Sequence, residues 1–237
     1  MSIDTATKLI EATTKLVGTL IWPAILIFIL VRFGPSLRDF FSSLGEFTLK
    51  GAGFEASAKR KQTEAAAALA AAAGSRPEAT PETTAQEARA AAEIVSEAVT
   101  PRLLRQARTS QILWVDDRPS NNINERRALE ALGIVIVIST STEDALEKLK
   151  LKSFDAIISD MGRPPDARAG YTLLDALRAS GDKTPFIIYA GSRAPEHQAE
   201  AQRRGAIGCT NRANELFEMV LAAVGREAEW RRHFGRG

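Results

Sequence analysis

The sequence predicts an α/β fold built on a doubly wound parallel sheet. Three observations predict it. The apolar run Gln111–Val115 ends in two adjacent acids, Asp116 and Asp117. A second run, Phe154–Ser159, ends the same way in Asp160. Between them, helical and strand-like patterns alternate, and a β-α-β-α-β series argues for parallel strands joined by crossover helices.

Each element rests on its own pattern. Gln111–Val115 has the length and β-branched character of a buried strand. Ser120–Leu132 is polar, with apolar positions at Ile123, Ala128, Leu129 and Leu132, and reads as a helix. Ile134–Ile138 reads as a second buried strand, and Thr142–Leu151 as a helix with Ala145, Leu146 and Leu149 on one face. In sheets of this kind the functional crevice lies at the carboxyl ends of the strands, near a switch in strand order. Asp116, Asp117 and Asp160 meet there if their strands are neighbours. Asp117 alone would also fit as a cap for the next helix, but the second acid-ended strand favours a shared site.

Three carboxylates in one crevice suit a hard divalent cation such as Mg²⁺, bound through oxygen. An aspartate beside such a cation is placed to attack a phosphoryl donor and become an aspartyl phosphate. With the acids in view, the series resembles the receiver domain of two-component response regulators. Further matching stretches are Gly170–Arg178 as the third helix, Thr184–Tyr189 as the fourth strand, and Gly205-Ala206 before the fifth. The resemblance covers roughly residues 110–225. It implies a five-stranded receiver/flavodoxin-like sheet, with Asp160 as the phosphoacceptor. It also implies Mg²⁺ held by Asp116, Asp117, Asp160 and the backbone carbonyl of Gly162.

The sequence departs from the receiver pattern at four matched positions. Ala190 stands where receivers carry a Thr or Ser hydroxyl, and Cys209 where they carry a switching aromatic. Arg212 and Ala213 stand where they carry Lys and Pro. Arg212 is therefore the expected phosphoryl contact in place of Lys, although a planar guanidinium is not equivalent to an ammonium. Ser192 is a candidate to supply the missing hydroxyl from the loop. Arg163 and Arg168, in the loop Gly162–Gly170, read either as steering groups for an anionic donor or as solvated charges. Ala194–Arg204 reads as a polar helix with an exposed, non-catalytic His197. Asn214–Val224 reads as a last helix with an apolar face.

Outside the domain, residues 1–15 are a short N-terminal segment. Leu16–Val31 is uncharged and apolar on all faces, just under the roughly 17–25 residues of a membrane span, and residues 16–33 are expected to form one. A signal peptide fits poorly, because the small-residue triplet Ala56–Ala58 lies too far beyond that run. Arg32, Arg38, Lys50, Lys59, Arg60 and Lys61 outnumber Lys8 and Lys15, so a single-pass protein of the inner (cytoplasmic) membrane with its C-terminal domain in the cytoplasm is expected. Residues 34–110 read as a juxtamembrane segment and an alanine-rich helical linker. Within it, Pro35–Leu44 suits a membrane surface or a second copy in a homodimer. Ala65–Ala73 and Thr84–Val99 favour helix, separated by a flexible break at Gly74–Thr83. Residues 226–237 form a basic tail.

The 237-residue chain carries a formal charge of +2 and one cysteine. That charge gives no case for nucleic acid, and a single Cys excludes an internal disulfide framework. The expected function is a membrane-anchored receiver, not an enzyme. It takes phosphate on Asp160 from a histidine kinase or phosphotransfer protein and signals through protein contacts. The alternatives are an unphosphorylated pseudo-receiver used as an interaction module, and a Mg²⁺-dependent phosphohydrolase.

Overall fold

The first strand explains the layers. In β1 (Gln111–Val115), Ile112 and Trp114 enter one core cluster while Leu113 and Val115 enter another. That alternation is what a strand covered on both faces requires. A computed structural model of the protein describes residues 55–76, 79–192 and 194–234. Residues 57–237 belong to one compact unit.

Five strands pair in parallel in the order β2-β1-β3-β4-β5, with β2 at Val135–Ser139, β3 at Ala156–Ser159, β4 at Phe186–Tyr189 and β5 at Gly208–Thr210. Residues 55–74 form α1, followed by α2 (Pro81–Ala98) and α3 (Pro101–Ala107). A short 3₁₀ turn, Pro119–Asn122, leads into α4 (Ile123–Leu132). The remaining helices are α5 (Thr142–Leu151), α6 (Ala169–Ala179), α7 (Pro195–Arg203) and α8 (Ala213–Phe234). Residues of α4 and α8 line one core cluster, and residues of α5, α6 and α7 line the other.

β2 corrects the expectation of a buried strand. It is an edge strand, shifted by one residue, with Val135 50% and Ile138 40% exposed. The run Ile134–Ile138, five β-branched residues, has the composition of a central strand, and composition cannot say which strand lies outermost.

The alanine-rich stretch is not a spacer. Ala65, Leu69, Ala72, Ala91, Val95, Val99, Leu103, Leu104 and Ala107 are buried and share one core with Trp114, Leu129, Phe217 and Val220. Small alanine faces let helices approach closely, so they bury surface without large apolar side chains. Polar contacts add register: Lys61 Nζ donates to the Ala131 carbonyl at 3.0 Å, and Gln62 Nε2 to that of Val99 at 2.9 Å. Pro81 and Pro101 begin helices rather than interrupt them. Each occupies the first turn, where its missing N–H has no intrahelical partner to lose. Thr80 and Thr100 cap those turns by accepting from Thr83 N and Leu103 N, both at 3.2 Å.

The expected single-pass placement in the inner membrane is corrected. Among the described residues no helix is long and apolar enough to cross a membrane. The stretch that prompted the expectation, residues 16–33, lies outside the described residues, as do residues 1–15 and 34–54.

Because Leu69 is fully buried within α1, Leu69→Ala is expected to lower the unfolding free energy by about 2–5 kcal/mol. Urea denaturation followed by Trp fluorescence measures it. An unchanged midpoint would mean that α1 does not share the core of the sheet domain.

Candidate phosphoacceptor and metal site

Strand pairing brings the acids together. β1 and β3 are neighbours, with Val115 opposite Ser159, so Asp116 and Asp160 follow side by side. The chain places β2 on one side of β1 and β3 on the other, so the strand order switches between these two carboxyl ends. One oxygen from each of Asp116, Asp117 and Asp160 lies within 4.8 Å of the others. That all-oxygen donor set fits a hard cation such as Mg²⁺.

Each carboxylate is oriented by its neighbours. Asp116 is buried, and its Oδ1 accepts from Arg118 N at 2.7 Å while Oδ2 accepts from the Asn122 amide. Asp160 Oδ1 accepts from Met161 N at 2.7 Å. Asp117 pairs loosely with Arg118 Nε at 3.7 Å. Burial pushes the Asp160 carboxyl above its usual range, and the Asp116 and Asp117 charges push the same way; Met161 N–H and Arg163 oppose them.

Arg163 is neither solvated nor available for steering. It is 3% exposed. Its Nη1 donates to Ser159 Oγ at 2.7 Å and to the Asp160 carbonyl at 2.8 Å, and its Nη2 to Thr142 Oγ1 and the Ala169 carbonyl, both at 3.0 Å. One planar fork thus ties the end of β3 to the starts of α5 and α6. Arg163 and Asp166 exchange backbone hydrogen bonds at 2.9 and 2.8 Å, which folds the loop back on itself. Nothing in the sequence distinguishes this arginine from Arg168, which is exposed and lies over the Tyr171 ring at 5.3 Å.

Gly170 allows the close approach of α6 to the end of β3 that carries Asp160. A Cβ there would stand 2.8 Å from the Asp160 carbonyl oxygen and 3.1 Å from Met161 Cα. Its N–H donates to the Met161 carbonyl at 2.9 Å. Glycine is needed for space at this position.

The crevice wall also includes Gly162, Ala190, Gly191 and Asn211, together with Ala72, Ser75 and Arg76 from the N-terminal helical segment. Arg212 is not part of that wall. Its guanidinium lies 3.8 Å from Glu87 of α2 and is half-exposed. Ser192 is turned away as well: its hydroxyl is 2.8 Å from His197 Nδ1, on a second pocket lined by Tyr171 and Cys209. Tyr189, one residue before Ala190, donates to Glu125 Oε1 at 2.9 Å. Burial and that carboxylate hold its hydroxyl well above its ordinary range, so it stays protonated. Asn122, Glu125, Arg76 and Tyr189 are wall residues that the sequence did not single out.

Residues 112–221 match the family model for the response regulator receiver domain. Similar solved structures include the Francisella response regulator 1452 receiver domain, at 23% identity and a TM-score of 0.46, spanning 50% of this chain and 99% of that one. The chemotaxis response regulator CheY4 of Vibrio cholerae is 25% identical with a TM-score of 0.41, over 49% and 97%. The receiver domain of sensor histidine kinase PA1611 from Pseudomonas aeruginosa PAO1, with a magnesium ion coordinated in its active site cleft, is 21% identical with a TM-score of 0.42, over 49% and 98%. No curated protein matches the chain. The family match thus falls on the sheet domain, over residues 112–221, and is to the receiver domain of response regulators.

The raised Asp160 pKa fixes the sign of an expected stability effect. The folded state holds this proton more tightly than the unfolded chain, so ionising Asp160 as pH rises through the carboxylate range removes stability. At neutral pH Asp160→Asn is expected to stabilise the fold by about 1 kcal/mol, roughly 2–4 °C in a domain of this size. Added Mg²⁺ should raise the wild-type melting temperature more than the variant's. Scanning fluorimetry with and without Mg²⁺ reads both, and a variant melting at or below wild type contradicts the account.

Proposed function

We propose that the chain is a phosphate-accepting receiver, with Asp160 as the phosphoacceptor and a histidine kinase or phosphotransfer protein as the donor. The observation that carries this reading is the convergence of the Asp116, Asp117 and Asp160 oxygens at the switch point of the sheet. Asp116, Asp117, Asp160 and the Gly162 carbonyl would hold Mg²⁺. When bound, that ion supplies the positive charge that offsets the three acids and attracts phosphoryl oxygens.

The chain's own groups define the acceptor. Met161 N–H holds Asp160 Oδ1 and so orients the carboxylate. Oδ2 is then the oxygen that forms the bond to phosphorus. The phosphorus–nitrogen bond to the donor imidazole breaks, and its electron pair stays on that nitrogen. Arg163 fixes the backbone carbonyl of the same residue, so the acceptor enters the reaction already positioned. The output of this reading is a change in protein contacts.

A second reading, an interaction module that is not phosphorylated, is favoured by Ala190, which offers no hydroxyl, and by Arg212 turned to Glu87. Incubating full-length protein with Mg²⁺ and acetyl phosphate, then measuring intact mass, separates the two. The expected result is one added phosphoryl group on the wild type and none on Asp160→Asn. Unmodified wild type would favour the second reading.

A further inference from the structure

Arg76 follows α1 in the turn that leads to α2, and two cavities share it. It lines the acidic crevice with Asp116, Asp117 and Asp160, and it lines the groove between α2 and α8 with Glu87, Arg212 and Asn214. Its only ion pair among the described residues is with Glu87, at 3.8 Å, beyond hydrogen-bond length. Its Nη2 is buried and has no hydrogen-bond partner among the described residues. A guanidinium carries five donors, and an unmet buried donor is costly. Among the described residues Arg76 is thus under-satisfied where it rests, and it lines a crevice that would gain acceptor oxygens on phosphorylation.

Glu87 has other partners. Arg212 also lies 3.8 Å from its Oε1, and Asn214 Nδ2 donates to its Oε2 at 3.0 Å and to its carbonyl at 3.2 Å. Withdrawing Arg76 therefore does not strand this carboxylate. Arg76 is also close enough to Tyr189, the residue before Ala190, to act against the rise in that hydroxyl's pKa.

On the receiver reading above, we propose that Arg76, delivered by the α1–α2 turn, is the phosphoryl-binding cation of this domain, and that its move from Glu87 into the crevice transmits phosphorylation to the N-terminal helices. Arg212 stays with Glu87. The phosphoryl group on Asp160 offers acceptors for charge-assisted bonds that Glu87 does not make at its present distance. Phosphorylation adds acceptors at only one of the two positions of Arg76, which is the differential affinity a switch requires.

The test uses the full-length chain with Mg²⁺ and acetyl phosphate, comparing wild type, Arg76→Gln, Arg76→Lys and Arg212→Gln. Intact mass follows the phosphorylation rate, and amide hydrogen exchange across residues 70–98 follows the turn and α2. Arg76→Gln is expected to slow phosphorylation by roughly tenfold to a hundredfold, the range for one hydrogen bond to a charged group. Arg212→Gln should slow it by less, and Arg76→Lys should recover part of the loss. Wild type should change its exchange in the turn and α2 on phosphorylation, and Arg76→Gln should not. A merely structural Arg76 would alter exchange before phosphorylation and would leave the phosphorylation-dependent change intact. That result, or a larger effect of Arg212→Gln than of Arg76→Gln, overturns the inference while the receiver reading stands. Wild type that takes no phosphoryl group overturns both.

Discussion

Three carboxylates packed within 4.8 Å at the end of a buried sheet are the constraint on which the rest depends. Like charges at that spacing repel, and removal from water sharpens the repulsion. Parallel pairing of β1 with β3 leaves no other arrangement, because Val115 and Ser159 sit opposite each other and the acids come next. The surrounding structure orients this cluster. Asn122 and Arg118 N–H hold Asp116, Met161 N–H holds Asp160, and Arg163 ties the strand end to α5 and α6 through four acceptors. Gly170 is the spatial counterpart of that clamp, since any side chain there would push α6 off the Asp160 carbonyl. A site of unfavourable charge held this firmly is suited to a cation and to a nucleophile that does not need to search for its position.

The N-terminal helices are part of the packed domain. They are built into the α4 and α8 face, with Leu69, Val95 and Leu104 buried in the same cluster as Trp114 and Phe217. Their connecting turn reaches the rim of the acidic crevice. Glu87 then links α2 to Asn214 at the start of α8 and to Arg212 after β5. The residue that the resemblance assigned to the phosphoryl group is therefore engaged with α2, and a different arginine faces the acids. Arg76 lines the crevice that holds Asp160 and lies 3.8 Å from Glu87 of α2, so the crevice and the α2 surface meet at one residue.

Much of the fold was legible because the acid-ended strands carry both a pattern and a chemical anomaly. Asp116, Asp117 and Asp160 fall together as expected, since strand-end placement follows from sequence order once the sheet is parallel. The sequence reads β2 as a central strand because the five β-branched residues Ile134–Ile138 look alike at an edge and in a centre. The alanine-rich stretch looked like a spacer because alanine gives helix propensity without a strong apolar face, while its burial depends on a partner far along the chain. Arg163 and Arg76 were hidden for a related reason. A charged residue in a loop is normally solvated, and only the closed shape of the loop or the docking of a distant helix reverses that. Arg212 shows the opposite case: its spacing matches the receiver pattern, while its side chain lies beside Glu87, a partner outside that pattern.

The central claim is that the acid cluster binds a phosphoryl group at Asp160 in company with Mg²⁺. Fluorine NMR of the full-length chain with beryllofluoride, a phosphoryl mimic, tests it most directly. Resonances of protein-bound fluoride are predicted for wild type with Mg²⁺, and none without Mg²⁺ or in Asp160→Asn. Wild type that shows only the free species at saturating beryllofluoride and Mg²⁺ would contradict it.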